Sequence, residues 1–466
     1  MDVLLTHGYF LGEDAHERMV MKPYPTLGLL YLSAYLKRAG FAVDVFDTTF
    51  VDRAALLAKL DARPAPVLGV YTNLITRPAV LTIVARAKRA GMTVVLGGPE
   101  SANYPEAYLD AGADVVVFGE GEEALEALLP ALARGGPHRL HAVDGLAFRD
   151  EDGAMVRTPS RPALRDLDAL PWPDREAIDI ERYLDCWRLH HGAGSVNLIT
   201  ARGCPYKCRW CSHSVFGYGH ARRSPADVAD EAAWIRERYR PDLLWYADDV
   251  FSINYRWLRA FAGEMRRRAL RMPFECITRA DRVTDEVIEH LRSLSCYRVW
   301  IGSESGSQRI LDAMERGVTV EQVRAATRRF QRAGIQVGMF LMWGYEGEET
   351  IDIEATIDHV KRANPDVFFT TVAYPIKGTP YFDGVRDRVS PARDWAAASD
   401  RDYAIRGRHS KRYYSFATQR LRHEVALHRA RRAGLSPRTA VPLLREAAGA
   451  ARARLGMRWA AGEVEA

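Results

Sequence analysis

Three cysteines crowd the middle of the chain. Cys204, Cys208 and Cys211 fall within Ala201–His213, which reads Ala-Arg-Gly-Cys-Pro-Tyr-Lys-Cys-Arg-Trp-Cys-Ser-His, and they are half of the six in the protein. Ser195–Thr200, just ahead, is apolar and β-branched, so the cysteines belong on a loop that leaves a strand. Thiolate is the ligand that iron–sulfur clusters take, and three on one loop can hold three irons of a cubane. The fourth iron then stays open, as a catalytic metal does when a substrate must bind it directly. Two other chemistries use the same side chains. A disulfide is disfavoured, because Cys186, Cys276 and Cys296 are scattered and no secretory signal is seen. A structural zinc ion would want a fourth ligand, for which His213 is close enough. Zinc sites usually draw a second pair from a distance, however, and none stands out.

The Cys-x3-Cys-x2-Cys spacing, with Trp210 before the third cysteine, resembles the radical S-adenosylmethionine enzymes. The resemblance implies a [4Fe–4S] cluster whose open iron chelates S-adenosylmethionine. One electron then cleaves the sulfonium to a 5′-deoxyadenosyl radical. A reductase or flavodoxin-type protein is the implied electron donor.

Apolar runs alternate with helical stretches over the first 145 residues, at Val3–Thr6, Ala42–Phe46, Pro66–Val70, Thr93–Leu96 and Asp114–Phe118. Five strand–helix units in series predict a doubly wound parallel sheet, which binds ligands at the carboxyl ends of its strands. Gly97-Gly98-Pro99-Glu100 and Gly119-Glu120-Gly121-Glu122 follow two of those strands, and Tyr71-Thr72-Asn73 follows another. Glycine there lets backbone approach a large flat ligand. No Gly-x-Gly-x-x-Gly follows the first strand, which argues against a nicotinamide dinucleotide site. With Pro25-Thr26-Leu27-Gly28-Leu29 and the linker Leu170-Pro171-Trp172-Pro173-Asp174-Arg175, these turns resemble the cobalamin-binding domain of cobalamin-dependent radical enzymes. Thr72, Asn73, Gly97, Gly98, Pro99, Glu100, Gly119, Glu120 and Gly121 are the cofactor residues the resemblance implies. The Asp-x-His-x-x-Gly signature that supplies an imidazole to cobalt is missing, which leaves a domain that no longer binds cobalamin as the alternative.

Six further strand–helix units from Ser195 onward predict a partial (β/α)6 barrel with its motifs at the strands' carboxyl ends, where barrel active sites lie. In the family these ends hold S-adenosylmethionine. The resemblance assigns its ammonium to Asp248 or Asp249, its carboxylate to Arg279, its ribose and methionine to Ser303 and Glu304, and its adenine to Gly344 and Trp210.

The expected organisation is therefore 1–145 for the cobalamin-type domain, 146–194 for a linker, 195–383 for the barrel and 384–466 for a basic helical region. Net charge is +5, yet residues 386–466 hold 18 Lys/Arg against 8 Asp/Glu. Arginine-rich helices solvated on one face account for this, and nucleic acid is not the expected partner. No run of eighteen apolar residues appears, and the amino terminus enters a strand directly, so a cytoplasmic protein without a membrane span is expected. The commonest use of the cluster with cobalamin in the family is C-methylation of a small molecule or natural-product intermediate. Ring formation, ring contraction and oxidative cyclisation are alternatives on the same scaffold. A zinc-containing nucleic-acid binder is the alternative from another class.

Overall fold

The computed structural model describes residues 1–135, 137–390, 394–432 and 437–465. The first sheet is built from β1 (Val3–His7), β2 (Val43–Phe46), β3 (Val67–Tyr71), β4 (Thr93–Gly97), β5 (Val115–Val117), β6 (Leu146–Arg149) and β7 (Met155–Arg157). Its order is β2-β1-β3-β4-β5-β6-β7. The first five strands are parallel, and the inner ones β3, β4 and β5 are apolar on both sides because helices cover both faces. Leu4, Leu68, Val94 and Val116 pack under helices Arg53–Asp61 and Arg77–Arg89. Val3, Val67, Val95 and Val115 pack under helices Leu27–Arg38 and Glu122–Ala133. Strand order reverses between β1 and β3, so a crevice opens at their carboxyl ends. β6 and β7 pair antiparallel. The sheet thus continues past Gly145 into the stretch expected as linker.

The second sheet begins at β8 (Ser195–Leu198). A short antiparallel pair follows, β9 (Ala201–Arg202) with β10 (Ala221–Arg222). Then come β11 (Leu243–Tyr246), β12 (Phe274–Thr278), β13 (Cys296–Glu304), β14 (Gln336–Trp343) and β15 (Val367–Val372). β8 and β11 to β15 form one parallel sheet in chain order, with β8 and β15 as free edges. This is the expected six-stranded partial barrel. Helix Pro225–Tyr239 starts where the sequence places it, with Ser224 accepting from the Asp227 amide.

Asp174 and Arg175 clamp the two sheets. Asp174 accepts from Ser33 and Lys37 of the first domain. Arg175 is fully buried and donates to Asn197 O and to Glu231 on helix Pro225–Tyr239. Helices Lys411–Arg432 and Pro437–Ala460 pack on the far side, where Tyr413, Leu421 and Val425 meet Trp343, Ile353 and Ile357. They lie over the outer face of β14 and reach the edge strand β15, where Thr418 bonds Thr370. Gly434, the glycine at which the sequence would end the first of these helices, lies outside the described residues. Among those residues no helix is long and apolar enough to cross a membrane.

Candidate active site

The cysteine loop is pinched at its neck by β9 and β10. Gly203 makes the turn with φ of +82°, and a Cβ there would stand 2.4 Å from Gly219 O. Farther round, Arg209 N donates to Met314 O, and Tyr381 N donates to Arg209 O. The loop is thereby tied to the segment after helix Gln308–Ala313 and to helix Pro380–Val385. Cys204, Cys208 and Cys211 are free thiols and line one cavity. Arg279 and Arg316 donate toward Cys208 Sγ at 3.8 and 3.7 Å. The neighbouring Cys211 and those two guanidiniums hold the Cys208 thiol below the ordinary thiol range, against the cost of burial. Among the described residues no three His, Cys, Asp or Glu side chains gather as they would around a single metal ion. A cubane asks instead for one thiolate per iron, spread over the loop, and that donor set fits. His213, the candidate zinc ligand, donates Nδ1–H to Gly217 O and packs on Tyr218.

The strand ends sort by alternation. Ala247 and Asp249 face the cavity, whereas Asp248 does not. The Asp248 carboxylate is buried and accepts from the amides of Thr200 (2.7 Å) and Ala201 (3.1 Å), from Thr200 Oγ1 and from Arg222. It braces the neck of the loop and is not free for an ammonium. Gly302 and Glu304 likewise face in, while Ser303 turns away to bond His359 Nε2 at 2.9 Å. Glu304 sits in the left-handed region at φ of +57°. A β-strand residue adopts that only under constraint. Burial pushes its carboxyl up to about 7 with Arg316 opposing. Gly344, expected beside adenine, is instead wedged against Tyr414, whose Cζ would lie 2.8 Å from an added Cβ. Trp210 and Arg279 do line the cavity. Arg316 joins them without having been foreseen, since it lies on a loop with no strand-end signal.

The same cavity, of about 850 Å³, runs up to the first sheet. Asn73, Gly97, Gly98, Pro99, Gly119, Glu120 and Gly121 border it. Gly98 needs its φ of +103°, and a Cβ there would meet Thr72 O at 2.4 Å. An added Cβ at Gly97 meets nothing within 4 Å, so Gly97 leaves open room for a flat ligand. Thr72 and Glu100 do not border the cavity. Thr72 Oγ1 donates to Gly97 O and accepts from Ser101 N, holding the glycine turn in shape. Glu100 is buried against Arg77, which also reaches Asp400. His7 offers no imidazole either: Nε2 bonds Asp47 and Nδ1 bonds Thr48 Oγ1, both at 2.9 Å. The glycine-bordered space fits a corrin that takes no ligand from His7.

Residues 198–360 match the radical SAM superfamily, and residues 20–129 match the B12 binding domain. The two matches together span more than half of the chain, which is a radical S-adenosylmethionine enzyme carrying an N-terminal B12-binding domain. Its cofactors are a [4Fe–4S] cluster, S-adenosylmethionine and cobalamin. The chain is 26% identical to an uncharacterised methyltransferase of Pyrococcus horikoshii over 411 residues, covering 85% of this chain and 86% of that one. It is also 26% identical over 403 residues to the anaerobic magnesium-protoporphyrin IX monomethyl ester cyclase of Rubrivivax gelatinosus, covering 84% and 71%. Among solved structures it shares its fold with the radical S-adenosylmethionine methyltransferase TsrM of Kitasatospora setae, at TM-score 0.69 and 21% identity, over 84% of this chain and 79% of that one.

Proposed function

We propose that the enzyme methylates a carbon of a small-molecule substrate. One observation carries the reading: the three cysteines and the glycine turns of the first sheet border a single cavity. Bound there, the cofactors supply reductive sulfonium cleavage, hydrogen-atom abstraction and a transferable methyl group. The chain's part is to hold and orient them. Cys204, Cys208 and Cys211 ligate the cluster, and Arg279 and Arg316, beside Cys208, pair with the methionine carboxylate. Their N–H groups also draw charge from the sulfur, which favours the reduced cluster. Asp249 and Glu304 face the methionine ammonium, and Trp210 packs on adenine. Gly97, Gly98, Gly119 and Gly121 seat the corrin. The reducing electron comes from a separate reductase or flavodoxin-type donor.

The relatives named above keep a second reading open, since one is called a methyltransferase and the other a cyclase. The by-products of S-adenosylmethionine separate the two. The anaerobic, cofactor-loaded enzyme should release S-adenosylhomocysteine as well as 5′-deoxyadenosine. Release of 5′-deoxyadenosine with no S-adenosylhomocysteine would replace methylation by ring chemistry.

A further inference from the structure

The motif Gly119-Glu120-Gly121-Glu122 carries two carboxylates that a corrin shelf does not need. Both are engaged by one side chain. Arg202, the residue two before Cys204, donates from NH1 to Glu120 Oε1 and from NH2 to Glu122 Oε1, each at 2.6 Å. All three side chains are less than 10% exposed. Glu120 spends its other oxygen on the amide of Leu164, so its carboxylate cannot swing away. The guanidinium also stands 5.0 Å from the ring of Tyr31 in the first domain and 5.8 Å from Phe216 on the cysteine loop. The surroundings explain why such a grip is needed. The first half of loop 203–220 is tied to the barrel through Arg209, whereas its second half lies beside the glycine turns, with Ser214 Oγ donating to Pro99 O at 3.3 Å. Between rigid sheets, a planar fork meeting two carboxylates fixes direction as well as distance, which a lysine point charge does not.

We propose that Arg202 is a positioning residue that sets the spacing between the corrin shelf and the cluster loop, acting through Glu120 and Glu122. The inference rests on the reading that both cofactors occupy this cavity. It makes the acidic motif a mechanical joint between domains rather than a ligand set.

The test compares wild type, Arg202→Gln, Arg202→Lys and the double variant Glu120→Gln/Glu122→Gln. In the full chain without cofactors, hydrogen exchange should quicken at least about ten-fold in the Arg202→Gln protein, in residues 203–219 and 119–122 alone. β12 to β14 should be unchanged, which shows that the protein is folded. In the anaerobic loaded enzyme, the reduced cluster should speed the electron-spin relaxation of cob(II)alamin in wild type. The Arg202→Gln protein should lose most of that enhancement at unchanged iron and cobalamin content. The lysine and double-glutamine variants should fall between. Unaltered exchange and relaxation in Arg202→Gln would overturn the joint. A wild type that binds no cobalamin would instead overturn the reading beneath it.

Discussion

Glu348 is a carboxyl group that works against the fold. One oxygen accepts from Gly344 N at 2.6 Å, while Oε1 is enclosed without a partner among the described residues. Burial pushes the group from 4.5 up to about 8. The folded protein therefore holds a proton that the unfolded chain releases, and stability falls as pH rises from about 4.5 to 8. Glu348→Gln keeps an acceptor for Gly344 and carries no charge. It should change stability by about 1 kcal/mol or less at pH 5 and raise it on the order of 5 kcal/mol above pH 8. Urea unfolding at the two pH values checks this, and equal effects at both would refute it. A residue-scale lesson appears at the strand ends. The sequence locates where β11 and β13 finish, but not which neighbour points inward. Side chains alternate with period two, so one residue decides whether Asp248 or Asp249, Ser303 or Glu304, meets a ligand. Only the packed sheet sets that phase.

At the scale of elements, the glycine turns and the cysteine loop were legible because each follows a strand whose apolar run ends abruptly. Arg202 was not, since its partner Glu120 is 82 residues away and no local pattern joins them. Arg316 escaped for the same reason. The β6–β7 hairpin was missed because an exposed strand such as Met155–Arg157 carries no buried stripe. The turns lend themselves to a clean test. Gly98 tolerates no side chain, but at Gly97 a Cβ enters open space. Gly97→Trp should thus reduce cobalamin binding at least about ten-fold while iron content stays at wild-type level. Unimpaired cobalamin binding would move the corrin off this shelf. The clamp between domains is a second element-scale test. Glu231 is fully buried between Arg175 and Arg223. Removing one member of such a group leaves buried charge uncompensated, at about 3–5 kcal/mol. Glu231→Ala should lower urea-unfolding stability by that amount, and a change under 1 kcal/mol would mean that water satisfies both arginines.

Over the whole molecule, two sheets of different origin in the chain present their carboxyl ends to one cavity. The strand ends of a doubly wound sheet and of an open barrel are each the place where such folds bind ligands. Facing them toward each other puts both sets of ligand-binding loops around one volume. The arrangement needs anchors at several points: Asp174 and Arg175 in the linker, Arg202 at the loop neck, and Arg77 with Asp400 beyond the barrel. Of these joints only the linker pair lies in a stretch that the sequence marks out, although both folds they join are legible. The whole arrangement serves the cysteine loop, which we propose holds the cluster that cleaves S-adenosylmethionine. The most direct measurement is 5′-deoxyadenosine formed under anaerobic reduction by wild type and by the triple variant Cys204→Ala/Cys208→Ala/Cys211→Ala, with iron and circular dichroism recorded alongside. Wild type should carry about four irons per chain and form the nucleoside. The triple variant should keep its secondary structure, lose its iron and form none. A folded triple variant that still makes 5′-deoxyadenosine would contradict the account.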